Sequence, residues 1–425
     1  MRWLPLVAVA LLVAHPAAAR LGDLDASFGI EGIASVQLGA FVAHCYGVAR
    51  QPDGALVLAG GSDAEIDFDD EYDATLVRLL PDGALDPAFG NGGIVVRRTG
   101  QRDFESTFKA VALGGDGAIV AAGHESSDGT SRTLIARFDA SGRPDPSFGA
   151  GGRVYVSLGE PSEATAVAVQ RDATVLVAVS IWLPGALPGG APGYDFHNDV
   201  ALVRLAADGT LDASFGDGGV RVLDMRAVEY SLDMVAEADG AAVIAVALLD
   251  GTTLEYDVGL VRVDASGALD RSWGDDGLTL LDLGFLDYRA RLIGLSSGRV
   301  LVLSGAPGIA LARLGSSGHL DPTFGHGGIT HVAPEFWYGR AVAVDALERP
   351  LVAALDATGE IYQPRLLRFT KNGRLRRPLA RSAPLPFDAG HLVIQPDGKA
   401  QAVTFDVGAS WLATRLGPRV GPPIH

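Results

Sequence analysis

The chain has 425 residues, enough for one large repeat architecture or for several ordinary domains. Its 55 glycines and 23 prolines favour many short strands over long helices. The net charge of -17 argues against a nucleic-acid partner, because a phosphate backbone must be met by clustered lysine and arginine. Cationic ligands and metal ions are compatible with this charge.

Residues 1–19 have the pattern of a secretory signal peptide. Arg2 precedes an apolar run, and small residues stand at Ala17 and Ala19. A retained membrane anchor is the alternative, but the apolar run is shorter than the roughly 20 residues that span a bilayer. We therefore expect an exported mature chain of residues 20–425 without a membrane span.

Cys45 is the single cysteine, so the exported chain is expected to fold without an internal disulfide. We interpret it as a small buried residue and not as a nucleophile.

A six-residue phrase of the type Leu-Asp-x-Ser-Phe-Gly returns at a mean spacing of about 59 residues, a period that indicates a propeller or a solenoid. Its copies are Leu24-Asp-Ala-Ser-Phe-Gly29, Leu85-Asp-Pro-Ala-Phe-Gly90, Pro144-Asp-Pro-Ser-Phe-Gly149, Leu211-Asp-Ala-Ser-Phe-Gly216, Leu269-Asp-Arg-Ser-Trp-Gly274 and Leu320-Asp-Pro-Thr-Phe-Gly325. We expect the aromatic ring of each phrase to pack between neighbouring units.

Each period contains four strand-like runs, named a to d, which the first copy places at 33–38, 46–51, 55–59 and 74–79. The turn Pro52-Asp-Gly54 between b and c is of the kind that joins antiparallel neighbours. Strand c recurs seven times along the chain. The last copy ends at its strand d without the phrase, whereas the mature chain begins with it.

The two ends therefore complete one repeat. The sequence predicts an all-β fold, a seven-bladed β-propeller of four-stranded antiparallel blades, closed by juxtaposed N- and C-termini. Closure leaves no exposed sheet edge. An open β-solenoid is the alternative architecture.

The extended phrase Leu-Asp-x-Ser-Phe-Gly-x-Gly-Gly, the turn Gln51-Pro-Asp-Gly54 and the strand Leu76-Val-Arg-Leu79 resemble the bacterial delta-60 repeat family. The resemblance covers essentially the whole mature chain. It implies an exported bacterial repeat protein, periplasmic or extracellular, without a defined reaction, substrate or cofactor. The chain departs from the family pattern at Leu375-Arg-Arg-Pro-Leu-Ala380, which replaces the phrase, and at Arg171-Asp-Ala173, which replaces the turn.

Strand d carries an arginine in every copy, which indicates a structural role. We expect each guanidinium to pair with the aspartate of a nearby phrase; a ring of arginines around an anion is the alternative. These residues are Arg78, Arg137, Arg204, Arg262, Arg313, Arg368 and Arg415.

In such a meander the b–c and d–a connections lie on one face of the propeller, which we call the turn face. The variable a–b and c–d loops lie on the opposite face, which we call the loop face. Those loops place aromatic rings beside carboxylates, a combination that suits sugars or cations, although rings just before strand b also fit a packing role. The candidate ligand-binding residues are Asp69, Tyr72, Tyr194, Asp195, Tyr256, Trp337 and Tyr338.

The sequence thus predicts a binding or scaffold propeller that engages a carbohydrate, a cationic peptide or a protein. A glycoside hydrolase or lyase with a carboxylate pair on the loop face, and an adhesion protein, are the alternatives. No catalytic motif or cofactor site is recognisable. The acidic run 67–73 has oxygen ligands enough for Ca²⁺ but lacks the usual loop spacing, which favours a solvated loop. We interpret His319, His326 and His331 as surface residues.

Overall fold

Six four-stranded antiparallel sheets and a seventh sheet of five strands, built from both ends of the described chain, confirm the predicted all-β seven-bladed propeller. A computed structural model describes residues 23–38, 42–63, 72–97, 104–127, 130–184, 196–223, 228–249, 256–283, 290–305, 308–333, 337–359, 362–376, 383–395, 397–404 and 410–417. Within these ranges, no helix is long and apolar enough to cross a membrane.

The described chain begins with β1 (Asp23–Leu24) and β2 (Ile33–Gln37), and three complete blades follow. Blade 1 comprises β3 (Ala43–Arg50), β4 (Leu56–Ser62), β5 (Asp73–Leu79) and β6 (Ile94–Arg97). Blade 2 comprises β7 (Phe104–Leu113), β8 (Ile119–Ser127), β9 (Thr130–Phe138) and β10 (Arg153–Val156). Blade 3 comprises β11 (Ser162–Val169), β12 (Val175–Pro184), β13 (Phe196–Leu205) and β14 (Val220–Leu223).

The second half repeats this order. Blade 4 comprises β15 (Val228–Ala236), β16 (Ala242–Leu249), β17 (Tyr256–Val263) and β18 (Leu278–Leu281). Blade 5 comprises β19 (Ala290–Gly294), a 3-10 turn (Ser296–Gly298), β20 (Val300–Ser304), β21 (Ile309–Leu314) and β22 (Ile329–Ala333). Blade 6 comprises β23 (Trp337–Val344), β24 (Pro350–Asp356), β25 (Gln363–Arg368) and β26 (Ala383–Pro384).

Blade 7 is built from both ends of the chain. It contains β27 (Ala389–Ile394), β28 (Ala400–Thr404) and β29 (Ser410–Gly417), and β29 pairs with both β1 and β2. Ile33 lies opposite Thr414, and Gln37 lies opposite Ser410. The N-terminal segment therefore supplies the outer strand of the last blade and closes the ring, as the incomplete last repeat predicts.

The blades are offset by one strand from the sequence repeat. Each sheet runs from strand b, through c and d, to the strand a of the following repeat. The phrase precedes that outer strand, so it lies where two blades meet. All six phrase aromatics are at most 2% exposed, which agrees with the predicted packing role.

The aromatic ring of the phrase also accounts for the presence of glycine at one position of the next blade. Gly267 has φ +82°, and a Cβ there would lie 3.0 Å from the ring of Phe215. Phe215 packs with Leu202 of blade 3 and Ile244 of blade 4 in one apolar cluster. At this interface a large aromatic ring thus packs against a residue that has no side chain.

The strand d arginines pair with the phrase aspartates in six of the seven repeats, as predicted. Arg313 Nε lies 2.9 Å from Asp321 Oδ2, for example. These contacts lower the pKa of the phrase aspartates: the hydroxyl and amide of Ser214 and the charge of Arg204 hold the Asp212 carboxyl ionised. Six of the seven strand d guanidinium groups are therefore engaged with phrase aspartates, whereas Arg368 lies 3.9 Å from Asp345 instead.

Candidate functional site

The central channel holds a candidate site. The seven inner strands β3, β7, β11, β15, β19, β23 and β27 line a cavity of about 230 Å³. Cavities for drug-sized ligands measure about 300 to 1,000 Å³, so this one suits a smaller molecule. The inner strands all run from the loop face to the turn face, so corresponding residues of the seven repeats form rings at the same depth.

One set of equivalent positions around the channel is marked by an irregularity in strand register. Six of the seven inner strands carry a bulge where one residue lies between two pairing positions. Bulges re-aim side chains and are common beside functional sites. The bulged residues are Tyr46, Lys109, Thr165, Leu232, Arg340 and Gly390.

The position after the bulge carries three of the ionisable side chains that line the cavity. This position lies four residues before the start of the b–c turn, and in four repeats it is small: Gly47, Ala110, Ala166 and Ala341. The other three repeats place Asp233, Arg291 and His391 there, and all three line the cavity. Three charged or polar residues therefore replace a small residue at one level of the channel.

Asp233 is held by the backbone of two blades. One carboxylate oxygen accepts the amide of Met234 at 2.8 Å, and the other accepts the amide of Leu292 at 2.8 Å. Burial raises the pKa of Asp233, although the charge of Arg291 and these amides oppose the shift. Asp233 therefore joins β15 to β19 as well as facing the channel.

Arg291 faces the same cavity from the next blade. Among the described residues, no acceptor lies within hydrogen-bond distance of its guanidinium and no carboxylate lies within 4.0 Å. Its charge nevertheless acts on both Asp233 and His391. A partly buried guanidinium without a partner is unusual, because its five donors seek acceptors.

His391 presents a neutral imidazole. Its Nε2 lies 3.3 Å from the carbonyl oxygen of Cys45, which only accepts, so Nε2 carries the hydrogen and Nδ1 is left as an acceptor. Burial, reinforced by the charge of Arg291, lowers the pKa of His391 to about 3. Cys45 itself is fully buried, and burial raises the pKa of its thiol to about 12, which agrees with the inert role expected for it.

A group of rings leads from the channel towards the loop face. The ammonium of Lys109 lies 4.1 Å from the ring centre of Tyr46, and both residues line the cavity. The ring of His44 lies 5.6 Å from that of Tyr46 and 5.5 Å from that of Tyr72. One predicted binding residue, Tyr72, is thus two ring contacts away from the channel.

Of the other predicted binding residues, Trp337 and Tyr338 are described, and neither lines the cavity. Trp337 is 5% exposed and belongs to the apolar core of blades 5 and 6. Tyr338 lies beside Arg340, with 5.9 Å between its ring centre and the guanidinium carbon. Tyr256 begins β17, but its side chain lies outside the described residues, as do Asp69, Tyr194 and Asp195.

The channel residues were not predicted from the sequence, because the binding residues were expected in the variable loops. The signal was present in strand b: aligning the seven copies on the b–c turn shows three ionisable residues at a position that is otherwise glycine or alanine. Among the described residues, no group of three histidine, cysteine or carboxylate side chains could hold a metal ion, and this includes His319, His326 and His331.

A second polar cluster lies at the loop-face end of blades 2 and 3. His124 Nε2 is 3.4 Å from Glu105 Oε1, and its Nδ1 is 3.3 Å from Glu163 Oε2. Burial alone would lower the pKa of His124, but the two carboxylates outweigh burial and the charge of Lys109, and they raise it. The cluster therefore favours the imidazolium form.

We expect the stability that His124 contributes to fall as pH rises. Its folded pKa is above the unfolded value of about 6.5, so the contribution is complete at lower pH and is lost as pH rises through the folded pKa. Urea unfolding of the wild type and His124→Gln between pH 5.5 and about 8.5 measures this difference. A stability difference that is constant over this range would contradict the charged state.

Three stretches of the chain match a family model. Residues 51–89, 114–148 and 193–215 match the family described as "Domain of unknown function (DUF5122) beta-propeller". The match supports a β-propeller repeat family, and the narrower delta-60 name stays a prediction. No curated protein matches the chain.

Several solved structures are similar in fold. A catalytically inactive virginiamycin B lyase from Staphylococcus aureus with quinupristin is 10% identical, with 91% of this chain and 99% of that chain covered and a TM-score of 0.51. The β-propeller domain of the Trilobed protease from Pyrococcus furiosus is 9% identical over 88% and 94% of the two chains, with a TM-score of 0.42. A PQQ-bound aldose sugar dehydrogenase from Streptomyces coelicolor is 14% identical over 83% and 97%, with a TM-score of 0.41. At such identities the likeness concerns the fold alone.

Proposed function

We propose that this propeller is a binding protein whose central channel takes a small hydroxylated carboxylate, such as a sugar acid. The observation that carries the proposal is Arg291: it faces the cavity and has no acceptor among the described residues. A ligand carboxylate would supply the two parallel acceptors that a guanidinium prefers.

The neighbours of Arg291 suit the rest of such a ligand. His391 offers Nδ1 as an acceptor for a ligand hydroxyl, since its Nε2 is engaged with Cys45. Lys109 of β7 also lines the cavity and adds a second positive charge, one residue nearer the loop face than the level of Arg291. Two cations in a confined, low-dielectric cavity attract an anion even though the whole chain is acidic.

This proposal refines the carbohydrate binding expected for the loop face. The rings of Tyr72 and His44 would form the approach to the channel, and their faces suit a sugar ring. A cationic peptide is less suited to this site, because Arg291 and Lys109 would repel it. Export and the adhesion role are not needed for the proposal and stay predictions from the sequence.

In the channel, a glycosidase-type mechanism would lack its second carboxylate among the described lining residues. A glycoside hydrolase needs two carboxylates about 5 to 9.5 Å apart. Among the described residues that line the cavity, Asp233 is the only carboxylate, and both its oxygens already accept backbone amides. We therefore favour binding over turnover.

We expect Arg291→Gln to weaken binding of the carboxylate by about tenfold or more, because a charge-assisted pair of hydrogen bonds is lost. Isothermal titration calorimetry of the chain from Arg20 onward, with glucuronate, galacturonate and lactate, measures this. Glucose, which has the sugar ring without the carboxylate, should bind the wild type much more weakly.

Arg271→Gln is the matched control, because Arg271 is 72% exposed in its side chain and pairs with Asp276 away from the channel. It should bind like the wild type. Equal affinity in Arg291→Gln and the wild type, or a loss caused only by Tyr72→Ala, would move the site from the channel to the loop face. An absence of heat with all three acids would overturn the proposed ligand class.

A further inference from the structure

Among the described residues, six strand d arginines on the turn face bind a phrase aspartate, and we call these closed sites. The seventh, Arg368, binds no phrase aspartate, and we call its site open. In the closed sites the guanidinium binds the phrase aspartate and further acceptors. Arg313, for example, donates to Asp321 at 2.9 Å, to the hydroxyl of Thr323 at 2.9 Å and to the backbone carbonyl of Lys371. Each closed site thus surrounds a mostly buried cation with oxygen atoms.

Blade 6 keeps the backbone of this site but reverses its charge. In the closed sites the amide of the phrase aspartate donates to the carbonyl of the strand d arginine, as Asp86 does to Arg78 at 3.0 Å. In blade 6 the amide of Arg376 donates to the carbonyl of Arg368 at 2.9 Å. Arg376 therefore stands in the place of the aspartate. In the sequence, Pro378 replaces the serine or threonine of the phrase, and it lies outside the described residues.

Arg368 is left without a hydrogen-bonding partner among the described residues. The nearest carboxylate oxygen, Oδ2 of Asp345, is 3.9 Å away. That oxygen is already bound by Arg349, whose Nε and Nη2 lie at 2.7 Å and 2.6 Å. The side chain of Arg368 is only 18% exposed, so water solvates its guanidinium incompletely.

The charges around Arg368 favour an anion. Arg349 and Arg368 both lie within 4.0 Å of Asp345, and the charge of Arg376 also acts on Arg368. Burial and the charges of Arg349 and Arg376 lower the pKa of Arg368, whereas Asp345 opposes the shift. A bound anion would relieve this repulsion.

We propose that Arg368, Arg376 and Arg349 form a binding site for a tetrahedral oxyanion, a phosphate or sulfate group, on the turn face of blade 6. Three guanidinium groups offer more donors than one carboxylate can accept, and a tetrahedral group presents several oxygens to them. The site is independent of the channel site, since it uses other residues on the turn face.

The test restores the phrase aspartate that blade 6 lacks. Arg376→Asp recreates the aspartate of the six closed sites, so it should pair with Arg368, raise the melting temperature in chloride buffer and abolish the response to the anion. The wild type should show a melting temperature that rises with inorganic phosphate or sulfate at constant ionic strength. Titration calorimetry with each salt shows which of the two oxyanions is preferred.

Arg374→Asp is the matched control, because it makes the same charge change on the same turn at an exposed residue outside the site. It should keep the response to phosphate or sulfate, and so should the channel variant Arg291→Gln.

Arg368→Gln serves as a second variant if Arg376→Asp does not fold, and it should weaken binding of the oxyanion about tenfold or more. A wild type that ignores both salts, or an equal response in Arg376→Asp and Arg374→Asp, would overturn the proposal, whereas glucuronate binding in Arg376→Asp would still report on the channel.

Discussion

Deleting residues 23–38 is expected to abolish cooperative folding of the propeller. This segment supplies β1 and β2, which complete blade 7 by pairing with β29. It also contributes the fully buried Phe28, and Asp25, which pairs with Arg415 at 2.9 Å. Loss of a buried phenylalanine alone costs about 3 to 5 kcal/mol, and domains are stable by only about 5 to 15 kcal/mol. Thermal unfolding followed by circular dichroism measures the loss.

The parent for comparison is the chain that begins at Arg20, which keeps the closing segment. Adding a synthetic peptide of residues 23–38 should restore part of the transition, because the open edge of β29 can accept a strand in trans. A peptide with the same composition in scrambled order should not. A deletion variant with an unchanged melting temperature would show that β2 does not close the ring.

Phe215→Ala is expected to lower the free energy of unfolding by about 3 to 5 kcal/mol. Phe215 is 1% exposed and fills the interface between blades 3 and 4, where its ring contacts Gly267 of the next blade. The guanidinium of Arg204 lies over the ring, 4.7 Å from its centre, and would lose this contact as well. Equilibrium unfolding in urea measures the change.

Phe215→Leu keeps most of the apolar volume and should cost no more than about half as much. Neither variant should change the affinity of the channel for a carboxylate, since Phe215 is not among the residues that line the cavity. A cost for Phe215→Ala below about 1 kcal/mol would contradict the packing role of the phrase ring.

The repeated parts of the fold could be predicted because repetition reveals what every blade needs. The phrase aromatics, the b–c turns and the strand d arginines recur in the sequence, and in the structure they form the blade interfaces, the hairpins and six of the ion pairs. The missing last phrase indicated how the two ends meet, and β2 pairs with β29 as expected.

The candidate sites were harder to predict because they depend on exceptions to the repeat. Arg291 and His391 are single residues within a strand, and their proximity follows only from the closure of seven strands around one axis. Arg376 was visible as a departure from the phrase, but its meaning required the backbone match to the aspartate position. Burial was also hidden from the sequence: Trp337 lies in the core although its neighbours are polar or aromatic.

The central claim is that Arg291 in the channel binds a carboxylate, and a crystal structure of the protein soaked with glucuronate tests it most directly. We expect the carboxylate to lie within about 3 Å of the Arg291 guanidinium, with a ligand hydroxyl donating to Nδ1 of His391. Glucuronate bound at the loop face, with only water beside Arg291, would contradict the claim.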